Sequence, residues 1–143
     1  MDDVTILNMT DGDLPELSRI FYQSFNDVGE RWSEGTATQH DKENFFGECH
    51  FIAKINNQII GYIMGIPLTR EQGLELFIDT VTVLPQYQKQ GIGSRLWQTM
   101  LDHAKEKKYV AIRLLTNPNL HSFDWYKKMG YQQSGWVEIY KGN

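Results

Sequence analysis

A chain of 143 residues, 41% hydrophobic and 13% aromatic, can bury a core of its own without staples, and it reads as one domain over 1–143. Its formal charge of −4 and the absence of a basic run argue against nucleic acid as a partner. No apolar run approaches the roughly 20 residues that span a bilayer, Met1-Asp2-Asp3-Val4 lacks a leader pattern, and the single cysteine, Cys49, allows no internal disulfide, so no membrane partner and a cytoplasmic location are expected.

Along the chain, strands and helices alternate with no linker and no repeat. Residues 4–9 read as a first strand. Asp11 or Asp13 can cap a helix with Pro15 in its first turn and an apolar face of Leu14, Leu17, Ile20, Phe21 and Phe25. Residues 26–47 are irregular, acidic and aromatic, with a short helix expected over 39–46. Segments 50–55 and 59–68, joined by Asn56-Asn57-Gln58, read as a hairpin, and 74–83 as a further strand. A helix over 92–107 follows, in which Ile92, Leu96, Met100 and Ala104 recur every four residues and Trp97 and Leu101 widen the stripe. Residues 110–116 read as a buried strand and 121–129 as a helix stopped by Gly130. Tyr131 onward, with 136–140, reads as a final hairpin turning at Ser134-Gly135. This order predicts an α/β fold: a central mixed sheet flanked by helices on both faces, parallel where strands 74–83 and 110–116 meet.

The junction between strand 74–83 and the helix after it carries the chemistry. A β-branched run, Val81-Thr82-Val83, stops at Pro85. A polar loop follows, and Gly91 and Gly93 open an amphipathic helix. The first N–H groups of a helix lack intrahelical partners and its dipole adds positive charge there, while glycines let a phosphate approach the backbone. A dinucleotide fingerprint needs a third glycine where Leu96 stands, and a phosphate-loop Gly-Lys-Ser/Thr is absent.

Gln88, Gly91 and Gly93 at this spacing resemble the Gln/Arg-x-x-Gly-x-Gly/Ala signature of the GNAT superfamily of acyl-CoA N-acyltransferases. A second segment strengthens the likeness. Asn119-Leu120-His121-Ser122-Phe123-Asp124-Trp125-Tyr126, continuing to Gly130-Tyr131, is similar to the family's Asn-x-x-Ala-x-x-aromatic-Tyr-x-x-x-Gly-Phe, with Ser122 for the alanine and Tyr131 for the phenylalanine. The resemblance covers nearly the whole chain and implies a GNAT-type fold, acetyl-CoA as co-substrate, and transfer to a primary amine of a small molecule by direct attack in a ternary complex. It leaves room for a homodimer.

The resemblance also implies roles for residues. The backbone of Val81, Thr82 and Val83 would pair with pantetheine as another strand would, a role compatible with plain β core. The amides of Gln88, Lys89, Gln90, Gly91, Ile92, Gly93 and Ser94 would hold the pyrophosphate. The family often has a basic residue where Gln90 stands, so charge assistance falls to Lys89 or Arg95. Tyr126 is the expected general acid for the departing thiolate, a phenol near 10 serving a thiol near about 8.5; the alternative is a core aromatic. Asn119 either holds the cofactor or caps the following helix.

For the amine's base, Asp79 shares strand parity with Val81 and Val83 and is expected to face the cleft. A carboxylate of ordinary pKa is a poor base for an ammonium, so relay through water is expected, with a structural aspartate as the alternative. Glu30 and Trp32, in the segment that walls the acceptor site in this family, suit a cationic amine; the alternative is a loop with an anchoring tryptophan. Cys49-His50 has no second Cys or His at ligand spacing, so no metal is expected. Acetylation of a protein N-terminus or lysine, and a non-catalytic acyl-CoA-binding module, stay open as alternatives.

Overall fold

The structure, a computed structural model, describes residues 3–142; Met1, Asp2 and Asn143, the ends of the expected domain, lie outside the described residues. Five strands form one sheet in the order β1 (Thr5–Asn8), β2 (His50–Ile55), β3 (Gln58–Arg70), β4 (Gly73–Val83) and β5 (Ile112–Leu114). The first four are mutually antiparallel, and β5 runs parallel to β4. This is the mixed sheet the alternation predicts. Asn56 and Asn57, at φ 49° and 64°, make the tight turn between β2 and β3, a conformation asparagine tolerates better than most residues.

Helices cover both faces. Helix α1 (Leu14–Asp27) and helix α2 (Glu34–Asn44) pack on one side, burying Leu17, Ile20, Phe21 and Ala37 against Ile52, Tyr62 and Met64. On the other side, α3 (Ile92–Glu106) and α4 (His121–Lys128) bury Leu96, Trp97, Met100 and Tyr126 against Ile63, Leu76, Ile78 and Val83.

Four local expectations need correction. Helix α2 starts at Glu34, well before residue 39, because Ser33 and Thr36 cap it reciprocally, each backbone N–H donating to the other's hydroxyl at 3.1 Å. The Asp13 carboxylate turns back to accept from Thr10 N–H at 2.8 Å instead of capping α1. Strand β5 is three half-buried residues, not a buried run over 110–116, and residues 131–142 form no hairpin, with Trp136 84% and Ile139 90% exposed. The pairing of β4 with β5 ends at Ile78↔Leu114 because β4 bulges at the next residue.

Candidate functional site

The bulge is the geometric key. Across β3 and β4, Met64 pairs with Thr80 and Gly65 with Ile78, so Asp79 is an extra residue with no partner on β3. Beyond it, the outer edge of β4 has no strand beside it among the described residues. Before the bulge that edge is filled: Val110 N–H donates to the Leu74 carbonyl and Leu76 N–H to the Ala111 carbonyl, both at 3.0 Å. At the far end, Leu84 N–H donates to the Ile60 carbonyl of β3 at 2.8 Å, which turns the backbone groups of the preceding Val83 toward the open edge. That edge is a row of peptide groups with no strand beside it among the described residues, of the kind another extended chain can pair with.

The open edge leads directly into the glycine loop. Gly91 is the N-cap of α3 at φ 81°, a left-handed conformation that costs any residue with a Cβ, and Lys89 is also left-handed at φ 63°. Among the described residues, and apart from the adjoining backbone, no atom lies within 4 Å of where a Gly91 Cβ would sit, and the nearest to a Gly93 Cβ is the Val83 side chain at 4.0 Å. Packing inside the protein therefore does not demand glycine at 93. The open space over both residues and the unpaired N–H groups of the first turn of α3 fit a phosphate. Arg95 is tied elsewhere, donating to the Val4 carbonyl at 2.9 Å, which leaves exposed Lys89 as the cation of this loop. An open groove of about 550 Å³ between α3 and the end of α4 begins at Ser94.

The bulge also reverses the expected parity of Asp79. Leu76, Ile78, Val81 and Val83 all face the α3 side, since the extra residue resets the alternation. Asp79 points to the opposite face, toward α2. There its Oδ2 accepts from Thr80 Oγ1 at 2.7 Å and lies 3.0 Å from Nε2 of His40. The other nitrogen of that ring, Nδ1, lies 3.1 Å from Oδ1 of fully buried Asp41. Burial opposes charge on His40, but the hydrogen bonds to Asp41 and Asp79 outweigh it and push the imidazole up to about 9. Burial likewise works against ionisation of Asp79, yet the His40 and Thr80 hydrogen bonds hold its carboxyl below the usual value.

Around this trio lies an aromatic shell. His40 stacks on Phe21 at 4.5 Å, and Trp32 meets both rings edge-on, at 4.6 Å from Phe21 and 5.4 Å from His40. Trp32 is fixed in turn: Asn26 bonds both its backbone N–H and its carbonyl, and its indole N–H donates to Glu30 at 2.8 Å. The structure thus brings together Glu30, Trp32 and Asp79 on the α1–α2 face.

On the α3 side, Tyr126 is 9% exposed among Trp97, Trp125 and Tyr131, and burial, with Tyr131 beside it, pushes its phenol up to about 12. Asn119 sits in the turn before α4, its N–H donating to Asn117 at 2.9 Å; the cap of α4 is Leu120, so the capping alternative does not apply. Among the described residues no group of side chains is arranged to hold a metal ion, and no helix is long and apolar enough to cross a membrane.

His40 is the residue that sequence reasoning missed. Its segment, Glu-Gly-Thr-Ala-Thr-Gln-His-Asp-Lys-Glu-Asn, carries no apolar period to show which way it faces. The adjacent His40-Asp41 pair was its only signal.

Residues 14–131 match the acetyltransferase (GNAT) family. The chain is 26% identical over 121 residues to the probable N-acetyltransferase camello of Xenopus tropicalis, covering 82% of this chain and 54% of that protein. It is also 26% identical over 111 residues to an N-alpha-acetyltransferase of Sulfurisphaera tokodaii, covering 66% and 62%. The chain thus spans about half to three fifths of the length of these relatives. Among solved structures, the aminoglycoside N-acetyltransferase AAC(6')-Iy in complex with CoA superposes with a TM-score of 0.78 at 17% identity, over 99% of this chain and 96% of that one, a likeness of fold. Since the family match runs from the first residue of α1 through the open edge of β4 and the glycine loop to Tyr131, this chain belongs to the GNAT acetyltransferase family.

Proposed function

We propose that the chain transfers the acetyl group of acetyl-CoA to a primary amine of a small molecule, by direct attack in a ternary complex. The observation that carries this reading is the open edge of β4 beyond the Asp79 bulge, continuous with the left-handed Gly91 at the mouth of α3. Bound there, acetyl-CoA supplies an activated thioester. The chain's own part is to hold and orient it. Peptide groups of Val81 and Val83 pair with the pantetheine arm, while those of Thr82, expected to join them, turn inward to β3 by the alternation of the ladder, and one N–H on this edge polarises the thioester carbonyl. The amides of Gln88, Lys89, Gln90, Gly91, Ile92, Gly93 and Ser94 cradle the pyrophosphate, and Asn119 lies at the start of α4 to meet the cofactor.

Two side chains handle protons. Tyr126 keeps its phenolic proton at any ordinary pH and gives it to the departing sulfur. Asp79 receives the amine as an ammonium on the other face of β4, and water relays its proton away, because a carboxyl held this low is too weak a base for direct abstraction. Glu30 and Trp32 wall the entrance and favour a cation. The small-molecule reading draws support from the aminoglycoside enzyme of like fold, and a protein N-terminus is the second reading, favoured by the Sulfurisphaera tokodaii relative. A panel of polyamines, aminoglycosides and short peptides, incubated with acetyl-CoA while free thiol is followed, separates the two. Thiol release with peptides alone would move the acceptor to protein, and the absence of thiol release with every amine, in a chain that binds acetyl-CoA, would leave a CoA-binding module.

A further inference from the structure

We propose that His40 is a positioning residue of the acceptor side: clamped between Asp41 and Asp79, it holds the Asp79 carboxylate on the β4 bulge so that the free oxygen of that carboxylate binds the acceptor's ammonium. This rests on the acetyl-transfer reading above. A bulge residue has no ladder partner to fix it, so Asp79 needs support from outside the sheet. It has two donors, Thr80 Oγ1 at 2.7 Å and His40 Nε2 at 3.0 Å, and both fall on Oδ2. No donor among the described residues reaches Oδ1, and the side chain is 18% exposed, open enough for a ligand.

His40 is itself over-determined. Its two ring nitrogens each face an aspartate oxygen, the pattern of a doubly protonated imidazolium. Phe21 stacks on one face, and Trp32 closes the edge. The groups that bear on the pair come from every neighbouring element: Asp41 from α2, Asp79 from β4, Tyr62 from β3, whose hydroxyl reaches Asp41 at 3.5 Å, His50 from β2, which acts on Asp79 through space, and Glu30 through Trp32. Asp41 is the deeper anchor, with no exposure and with Oδ2 lacking a partner among the described residues. His40 and Asp41 thus tie the unpaired bulge residue of the sheet to a buried carboxylate of α2.

The test compares wild type with His40→Gln over about pH 6 to 10, measuring KM for the amine and kcat, with acetyl-CoA affinity measured separately by calorimetry. Losing a charge-assisted hydrogen bond predicts an amine KM raised about tenfold at neutral pH, with kcat and acetyl-CoA affinity close to wild type. The ratio of the two KM values, in which the amine's own titration cancels, should fall toward one as pH passes about 9, where the wild-type ring gives up its proton. Equal KM values across the range, in a folded variant that binds acetyl-CoA, would overturn the clamp and spare the acetyl-transfer reading. A wild type that binds acetyl-CoA and acetylates no amine would overturn both. Should His40→Gln fail to fold, nitrogen NMR of the wild-type ring decides: two ring N–H signals at neutral pH that shift when amine is added support the clamp, and a neutral ring indifferent to amine removes it.

Discussion

Gln88 Nε2 donates to the Val83 carbonyl at 2.8 Å, so the first residue of the glycine signature already grips the last residue of β4. That bond closes the corner between the open edge and the loop, and it leaves the Val83 N–H and the groups of Val81 as the free part of the edge. Gln88→Ala should lower stability by about 1 kcal/mol, the net value of one such bond. It should also weaken acetyl-CoA binding several-fold, since the loop loses its tether. Thermal melts and calorimetry on the same preparation check both; an affinity unchanged alongside a lowered melting temperature would confine Gln88 to structure.

The two glycines should fail in different ways. Gly91→Val forces a β-branched residue to φ 81° and should cost about 1–2 kcal/mol of stability besides acetyl-CoA affinity. Gly93→Val meets no protein atom closer than 4.0 Å at its Cβ, so the fold should survive while the phosphate is pushed off. Gly93→Ala should keep most of the affinity. A Gly93→Val protein that binds acetyl-CoA as wild type does would take the pyrophosphate away from this loop.

Tyr126→Phe removes a hydroxyl that makes no hydrogen bond among the described residues, and the ring still packs on Trp97 and Trp125. Acetyl-CoA affinity and melting temperature should therefore hold. General acid catalysis is worth about 10²–10⁴-fold, and with solvent as a substitute kcat should fall toward the lower figure. Burial places the phenol at about 12, so no alkaline loss of wild-type rate near 10 should belong to this residue. Unchanged kcat at saturating amine would leave water as the acid.

Stability should peak near pH 6.5, because two histidines pull in opposite directions. His40 rises from 6.5 to about 9, so its contribution is complete below 6.5 and is lost as pH climbs through 9. Burial lowers His50 to about 4, and its ring already uses Nε2 to accept from Phe46 N–H at 2.9 Å. There the unfolded chain takes up a proton that the folded chain refuses, so stability falls as pH drops from 6.5 through 4. Asp79, held below its usual 3.8, adds stability that disappears only at still lower pH. Urea unfolding across about pH 4.5 to 9.5 should trace this dome, with the alkaline side flattened in His40→Gln and the acid side flattened in His50→Gln. A wild-type curve that climbs steadily through pH 9 contradicts the His40 pairing.

What the sequence disclosed, and what it withheld, divides along physical lines. The glycine loop, α3 and the asparagine turn were legible because local rules govern them: positive φ, a four-residue apolar repeat, a two-residue turn. Parity arguments failed at Asp79, since a bulge is set by the pairing of two strands and leaves no local mark on one of them. Helix α2 was shortened in the reading because its inward residues are Ala37, His40 and Asp41, too polar to announce burial. The hairpin expected after Tyr131 rested on a turn at Ser134-Gly135, and a turn cannot supply a neighbouring strand; β5, only three residues long, does not supply one.

The division of β4 into two faces has a consequence for how such a protein can change. As proposed, the side chains that meet the acceptor, Glu30, Trp32 and Asp79, come from the loop between α1 and α2 and from the bulge, while the cofactor meets peptide groups of the β4 edge and the loop before α3 on the other side of the same strand. Peptide groups are common to all residues, so nearly any sequence drift on the α2 face leaves the grip on the donor intact. Exchanging the rest of residues 26–44 for another amine-binding segment, with His40 and Asp41 kept to hold Asp79, should redirect the enzyme to a new acceptor without rebuilding its machinery, because Asp79 is the single residue the two halves share.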